Sequence, residues 1–257
     1  MRPAPRAGDA RRAARGGLAT ALYAGTSGFS YPGWKGRFYP ATLAGSKMLE
    51  FYAQRLNGVE LNGSFYRMPP PAALAKWVAQ TPAAFRFCMK ANRGLTYSAE
   101  GFDRAGLARI LAERLAPLGG RLGPVLLQFP PVRRFDPALL DALLGALVTP
   151  VAAEFRHESW FRDETYSILR EHGGALVITD EEKWPRAPRV ELGSTAYYRL
   201  RRGYSARALR PWIEEVRSAL GSHDAVHVYF KHDPESPALA ERLMKQALKS
   251  GGASRLA

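Results

Sequence analysis

A single cysteine, Cys88, is all the thiol chemistry in 257 residues. That excludes an intrachain disulfide and any zinc site built on cysteines. A reducing, cytoplasmic setting is the expectation. Apolar residues make up 46% of the chain, enough for a sizeable core. No run of them approaches the roughly 20 residues a bilayer span needs, so no membrane partner is expected. Acidic residues are few: 23 Asp and Glu stand against 37 Lys and Arg, a formal charge of +14. Two catalytic signatures are also missing. Gly25-Thr26-Ser27-Gly28 lacks the spacing of a glycine-rich dinucleotide turn. Ser27 lacks the G-x-S-x-G of a nucleophile elbow.

What is there begins with arginine. Residues 1–20 carry Arg2, Arg6, Arg11, Arg12 and Arg15 against Asp9 alone. With no apolar stripe and no secretory h-region, they read as a disordered basic leader ahead of one domain at 21–257. The remainder is still strongly basic, which favours anionic partners, nucleic acid among them. Plain solubility produces the same composition.

After the leader, strand and helix patterns alternate. Short apolar runs at residues 22–27, 58–62, 85–91, 124–129, 151–155, 175–180, 196–201 and 225–231 read as strands. Helical spacing falls at 46–56, with Ser46 as N-cap, and at 71–80, 105–118, 137–148, 164–172, 209–220 and 237–250. Residues 181–195 are polar, contain proline and show little helical periodicity, so the sixth helix is weak or replaced by a loop. Alternating units at a spacing of roughly 30 residues predict one α/β domain, a (β/α)8 TIM-type barrel. A doubly wound open sheet is the alternative, and it calls for the phosphate turn that is missing after strand one.

Several segments in order, GTSGFSYPGWKGRFYP, ELNGSFYRMP, FRFCMKA, GPVLLQFPP, EFRHESW and YYRLRRG, resemble the YecE-like family, domain of unknown function 72. The resemblance runs from about residue 22 to about residue 233. It implies a TIM barrel and no established reaction. The family usually has NST where Asn62-Gly63-Ser64 stands, His where Arg201 stands, and two Asn where Lys231 and His232 precede Asp233. These departures make the expected barrel mouth more basic.

Ligand chemistry in such barrels sits at the carboxyl ends of the strands. Glu60 and Asn62, Lys90 and Asn92, Glu154 and Arg156, Arg199 and Arg201, and Lys231 and Asp233 each lie two apart, so each pair shares a face. With Gln128 and Asp180 they gather at one mouth. Charge so placed costs free energy unless something there needs it. Glu154 is the candidate general base, with His157 or Asp180 as complementary acid. Lys90 is an oxyanion stabiliser or, with a lowered pKa, a nucleophile. Glu60, Asn62, Tyr66, Gln128, Arg156, Trp160, Arg199, Arg201, Lys231 and Asp233 are the candidate ligand contacts. A purely structural pairing of Glu60 with Lys90 on the neighbouring strand fits the same residues.

Cations outnumber carboxylates there, which favours a small phosphorylated or otherwise anionic ligand and an acid/base or hydrolytic reaction of unnamed substrate. A divalent metal on Glu60, Glu154, Asp180 and His157 is compatible with the residue types, and the neighbouring cations disfavour it. Around the mouth lie Phe29, Tyr31, Trp34, Phe38, Tyr39, Phe65, Tyr66, Trp160 and Phe161, interleaved with Lys35, Arg37, Arg67, Arg93 and Arg162. Such a rim either stacks nucleic-acid bases or forms the core of a lid.

Overall fold

In the computed structural model, which describes residues 20–65, 68–98, 101–147 and 149–249, the apolar runs form eight strands in one parallel sheet. They are β1 (Ala21–Ser27), β2 (Gly58–Leu61), β3 (Arg86–Met89), β4 (Val125–Phe129), β5 (Val151–Phe155), β6 (Ala175–Asp180), β7 (Thr195–Leu200) and β8 (Ala225–Phe230). The spatial order is β3-β2-β1-β8-β7-β6-β5-β4. Bridges Phe87–Leu122 and Lys90–Leu126, with an Ala91 N–H to Leu126 carbonyl bond of 2.9 Å, join the two end strands and close the ring. The expected (β/α)8 barrel is what forms.

Period-two alternation builds two cores at once. Val59, Phe87, Leu127, Ala153, Ile178, Tyr198 and Val228 face outward into the layer between sheet and helices. Cys88, Leu126, Ala152, Val177, Tyr197 and Tyr229 face inward and fill the barrel. Tyr229 needs a glycine opposite: a Cβ at Gly58 would lie 2.9 Å from its hydroxyl. Below this layer Tyr23 stacks on His227 at 4.8 Å between centroids, and the Arg86 guanidinium lies 5.0 Å from the Tyr23 ring.

The outer ring comprises α1 (Met48–Ala53), α2 (Pro71–Ala79), α3 (Gly94–Tyr97), α4 (Arg104–Leu115), α5 (Pro137–Ala146), α6 (Asp163–Glu171), α7 (Ala206–Ser222) and α8 (Ser236–Leu248). Side-chain caps start three of them: Asp103 accepts from Gly106 N–H, Asp136 from Leu139 and Ser205 from Ala208. Ser46 does not cap α1. A 3-10 turn at Gly45–Lys47 runs into the helix, and Lys47 takes the cap position with no side-chain bond. Residues 181–194 carry neither helix nor strand, as their polar, proline-bearing sequence predicts. Arg189, 2.6 Å from Glu215, and Arg186, over Trp212, fasten that loop to α7. Among the described residues no helix is long and apolar enough to cross a membrane.

Candidate functional site

The inward parity that packs Cys88 and Tyr197 continues up each strand and delivers charge to the carboxyl end of the barrel. Arg199 on β7 lies at its centre. Its Nε and Nη2 donate to the two oxygens of Glu60 at 2.9 and 2.8 Å, and its Nη1 donates to Glu154. All three side chains are buried. Glu60 also accepts from Ser27 Oγ at 2.8 Å and from the Tyr197 hydroxyl at 3.0 Å. Glu154 also accepts from Gln128 Nε2 and Arg156 Nε, each at 2.9 Å. Buried ions are tolerated only when paired and hydrogen-bonded, and every carboxylate oxygen here is.

Around this floor stand the other cations. Arg201 donates to Ser27 Oγ at 2.6 Å, and Lys90 Nζ donates to Gln128 Oε1 at 2.8 Å. Lys90, Arg156 and Arg201 are half-buried, and Lys231 is more exposed, 3.8 Å from Asp233 on the rim. Charge thus grades from neutralised at depth to cationic at the opening. Arg156 shares its guanidinium with Glu181, 3.9 Å away, and lies over Trp184.

The electrostatics follow. Burial alone pushes the Glu60 carboxyl up, but the Arg199 guanidinium, helped by Arg201 and Ser27, overrides it and holds the group at about 2. Glu154 is lowered for the same reason, by Arg199 and Arg156 against its burial. Burial, and then the nearby Arg199, lower Lys90 to about 8, against the pull of Glu154 and Glu60. Burial and Arg199 likewise lower Arg201.

These contacts revise several sequence expectations. Glu154, the candidate general base, has both oxygens committed to donors and a reduced proton affinity. Glu60 is taken by Arg199 across the barrel, not by Lys90 beside it. Asp180 has the outward parity of Leu176 and Ile178, and it binds the Tyr204 hydroxyl at 2.6 Å and Arg202 at 2.9 Å, away from the floor. His157 caps the 3-10 turn Glu158–Trp160, its Nδ1 accepting from Ser159 N–H at 3.1 Å. No hydrogen bond or ion pair joins it to Glu154 among the described residues. Trp160 is wholly buried, stacked 4.5 Å from Phe155, with its indole N–H given to the Arg133 carbonyl at 2.8 Å. It is core, not a ligand contact. Tyr66 lies outside the described residues, as does Arg67.

Glu60, Gln128, Arg156, Arg199, Arg201 and Lys90 do come together, and Asn62 follows β2 with the parity of Glu60. Sequence reading missed Tyr197 as a partner of the floor, although its spacing from Arg199 gives it away. It also missed Trp184, which no periodicity marks. The rim aromatics form a lid core: Trp34 and Tyr39 are 1% exposed, Phe38 7%. Trp34 Nε1 donates to the His232 carbonyl at 3.3 Å, tying the loop after β1 to the loop after β8. No group of three or more His, Cys, Asp or Glu side chains converges as a metal site among the described residues.

Comparison with known proteins agrees with this architecture. The sequence model of the family described as "Protein of unknown function DUF72" matches residues 23–255. The UPF0759 protein YunF of Bacillus subtilis is 32% identical over 176 residues, covering 62% of this chain and 61% of its own length. The UPF0759 protein YecE of Escherichia coli K12 is 33% identical over 169 residues, covering 62% and 59%. The match therefore spans about three fifths of those relatives. Among solved structures, a DUF72 family protein from Thermotoga maritima superposes with TM-score 0.77 at 30% identity, covering 88% of this chain and 98% of that one. One from Enterococcus faecalis V583 gives 0.74 at 21% identity, covering 91% and 100%, and attests the shared fold alone. The chain belongs to the DUF72 family, and its barrel mouth is that family's fold carrying a buried Glu60–Arg199–Glu154 floor.

Proposed function

We propose that the mouth of the barrel binds a small phosphorylated or carboxylated ligand and acts on it by acid/base chemistry. The observation that carries this is the distribution of charge. Glu60 and Glu154 are both paired with Arg199, while Lys90, Arg156 and Arg201 rise around them, with Glu181 3.9 Å from Arg156. Arg201 leans on a neutral serine hydroxyl. A guanidinium half removed from water with so weak a partner gains most from an oxyanion, which it grips through a planar fork. The floor fixes Arg199 and leaves it neutralised, so its role is positioning. Lys90, lowered to about 8 by burial and Arg199, is the acid/base candidate.

Burial of Trp34, Tyr39 and Trp160 takes three of the rim aromatics out of reach of a single strand that would stack on them. The deciding experiment is calorimetric titration of the full chain with inorganic phosphate and with small phosphorylated sugars. Arg201→Ala should weaken binding by at least about tenfold, the worth of one charge-assisted contact. Nucleic-acid affinity that survives this change and falls steeply with salt would replace the small-ligand reading with a strand-binding one.

A further inference from the structure

Resting on that reading, we infer that Lys90 is an amine nucleophile and that the ligand is a hydroxylated, anionic carbonyl compound, which it holds as a covalent imine. Three observations place the chemistry. Lys90 follows β3 on the inward face and is half-buried, its Nζ anchored 2.8 Å from Gln128 Oε1. That acceptor is neutral, so it orients the nitrogen without demanding that it stay charged. Gln128 in turn is fixed by donating to Glu154 at 2.9 Å, which makes the amide a rigid support.

Second, a cation that would hold an acid group lies on the other side of the mouth. Arg201 belongs to the loop after β7, which stands opposite β3 in the ring, while Lys90 follows β3. A ligand gripped at Arg201 presents its far end to Lys90, and a reactive carbonyl there completes the arrangement.

Third, two buried polar atoms of the same layer have no hydrogen-bond partner among the described residues: Asn62 Oδ1 and Thr179 Oγ1. Asn62 comes one residue after the Leu61–Met89 register pair, beside Lys90. Thr179 is in register with Arg199 and shares the inward parity of Val177. Buried polar groups are rarely left unsatisfied. Hydroxyls of a ligand between Lys90 and Arg199 would satisfy both, which is why the compound is expected to be hydroxylated.

The step balances without any oxidant. The lone pair of neutral Nζ forms a bond to the carbonyl carbon, and the carbon–oxygen π pair moves to oxygen, which takes a proton. The nitrogen, cationic after the attack, gives up one proton to regain its lone pair, and the carbinolamine oxygen takes a second proton and leaves as water as that pair forms the carbon–nitrogen double bond of a protonated imine. The lowered proton affinity of Lys90, from burial and from Arg199, supplies the neutral amine at ordinary pH.

Reductive trapping tests this. The full chain is treated near pH 8 with pyridoxal phosphate, or with glyceraldehyde 3-phosphate, and sodium cyanoborohydride, then peptide-mapped. Lys90 should be alkylated at least about tenfold faster than Lys35, Lys183 and Lys231, because burial and Arg199 raise its free-amine fraction and Gln128 orients it. Excess inorganic phosphate should protect it, and Lys90→Arg should abolish the selective label. Even labelling over all lysines, with phosphate still bound by the wild type and lost in Arg201→Ala, overturns the imine and leaves the anion site standing. Phosphate failing to bind the wild type overturns the anion site and this substrate class with it.

Discussion

Arg199 illustrates how one side chain settles the fate of two others. Its guanidinium is the shared counter-ion of Glu60 and Glu154, and all three are removed from water. Replacing it by Met leaves Glu60 without its paired guanidinium and Glu154 with Arg156 alone, both still buried. The expected cost is about 3–5 kcal/mol, the range for breaking a buried pair from one side. Urea denaturation of Arg199→Met against wild type measures it. The triple change Glu60→Gln, Glu154→Gln, Arg199→Met removes the stranded charges as well, and it should recover much of the loss. If the single and the triple variant are equally unstable, the charges are not what the floor contributes. Arg201, by contrast, gives its hydrogen bond here to the Ser27 hydroxyl, so Arg201→Ala should cost under about 1 kcal/mol of stability while it impairs binding.

Among the elements, the loop after β1 is the one built to a single conformation. Gly28 turns the chain with φ +93°, a region that side chains rarely occupy. A Cβ there would also meet the Tyr31 hydroxyl at 2.5 Å, and that hydroxyl donates to the Ser27 carbonyl at 2.7 Å. Tyr31 further stacks 5.2 Å from His232, so the turn feeds directly into the tie between the β1 and β8 loops. Gly28→Ala should therefore destabilise by about 1–3 kcal/mol through backbone strain, and by more if Tyr31 is displaced. Proteolysis mapped to residues 28–47 would show whether the loop is what loosens. The strands on either side were legible in sequence because alternation is a backbone property: β5 and β6 have the residue bounds that their apolar runs predict. The site was half legible for the same reason. Parity put Glu60, Glu154, Arg156, Arg199 and Arg201 on one face correctly, but it was not applied to Asp180, whose even spacing from Leu176 and Ile178 turns it outward. His157 and Trp160 lie past the end of β5, where period two stops and capping and lid packing take over. Roles were less legible than positions. Whether Glu154 is a base or a clamp depends on partners from β4 and β7, which no local pattern names.

At the scale of the whole molecule, the barrel interior is a polar column as much as an apolar core. It runs from Arg86, Tyr23 and His227 at the amino end, through Cys88, Tyr229 and Tyr197, to Glu60 and Arg199 at the mouth. From His227 to Arg199 these side chains are buried and in contact, so the global stability depends on titrations far from the surface. Burial, and then Arg86, lower His227 to about 3, so the folded barrel excludes a proton that the unfolded chain accepts near 6.5. The unfolded state therefore binds more protons between these values, and stability must fall as pH drops from about 6.5 towards 3. From pH 7 to pH 5 this single group should remove about 2 kcal/mol. Glu60, held at about 2 against an ordinary 4.5, acts in the same direction but only below pH 4.5. Acidification should therefore weaken the protein in two separable stages, the first owed to the interior histidine and the second to the floor of the mouth. His227→Gln keeps a polar group near Tyr229 and Cys88 but cannot take a proton. Its urea midpoint should stay flat between pH 7 and 5 while that of the wild type falls, and below pH 4.5 both should drop, the wild type more steeply until about pH 3. A wild-type midpoint that does not move between pH 7 and 5 would mean that His227 reaches water, and the continuous buried column would be wrong at its amino end.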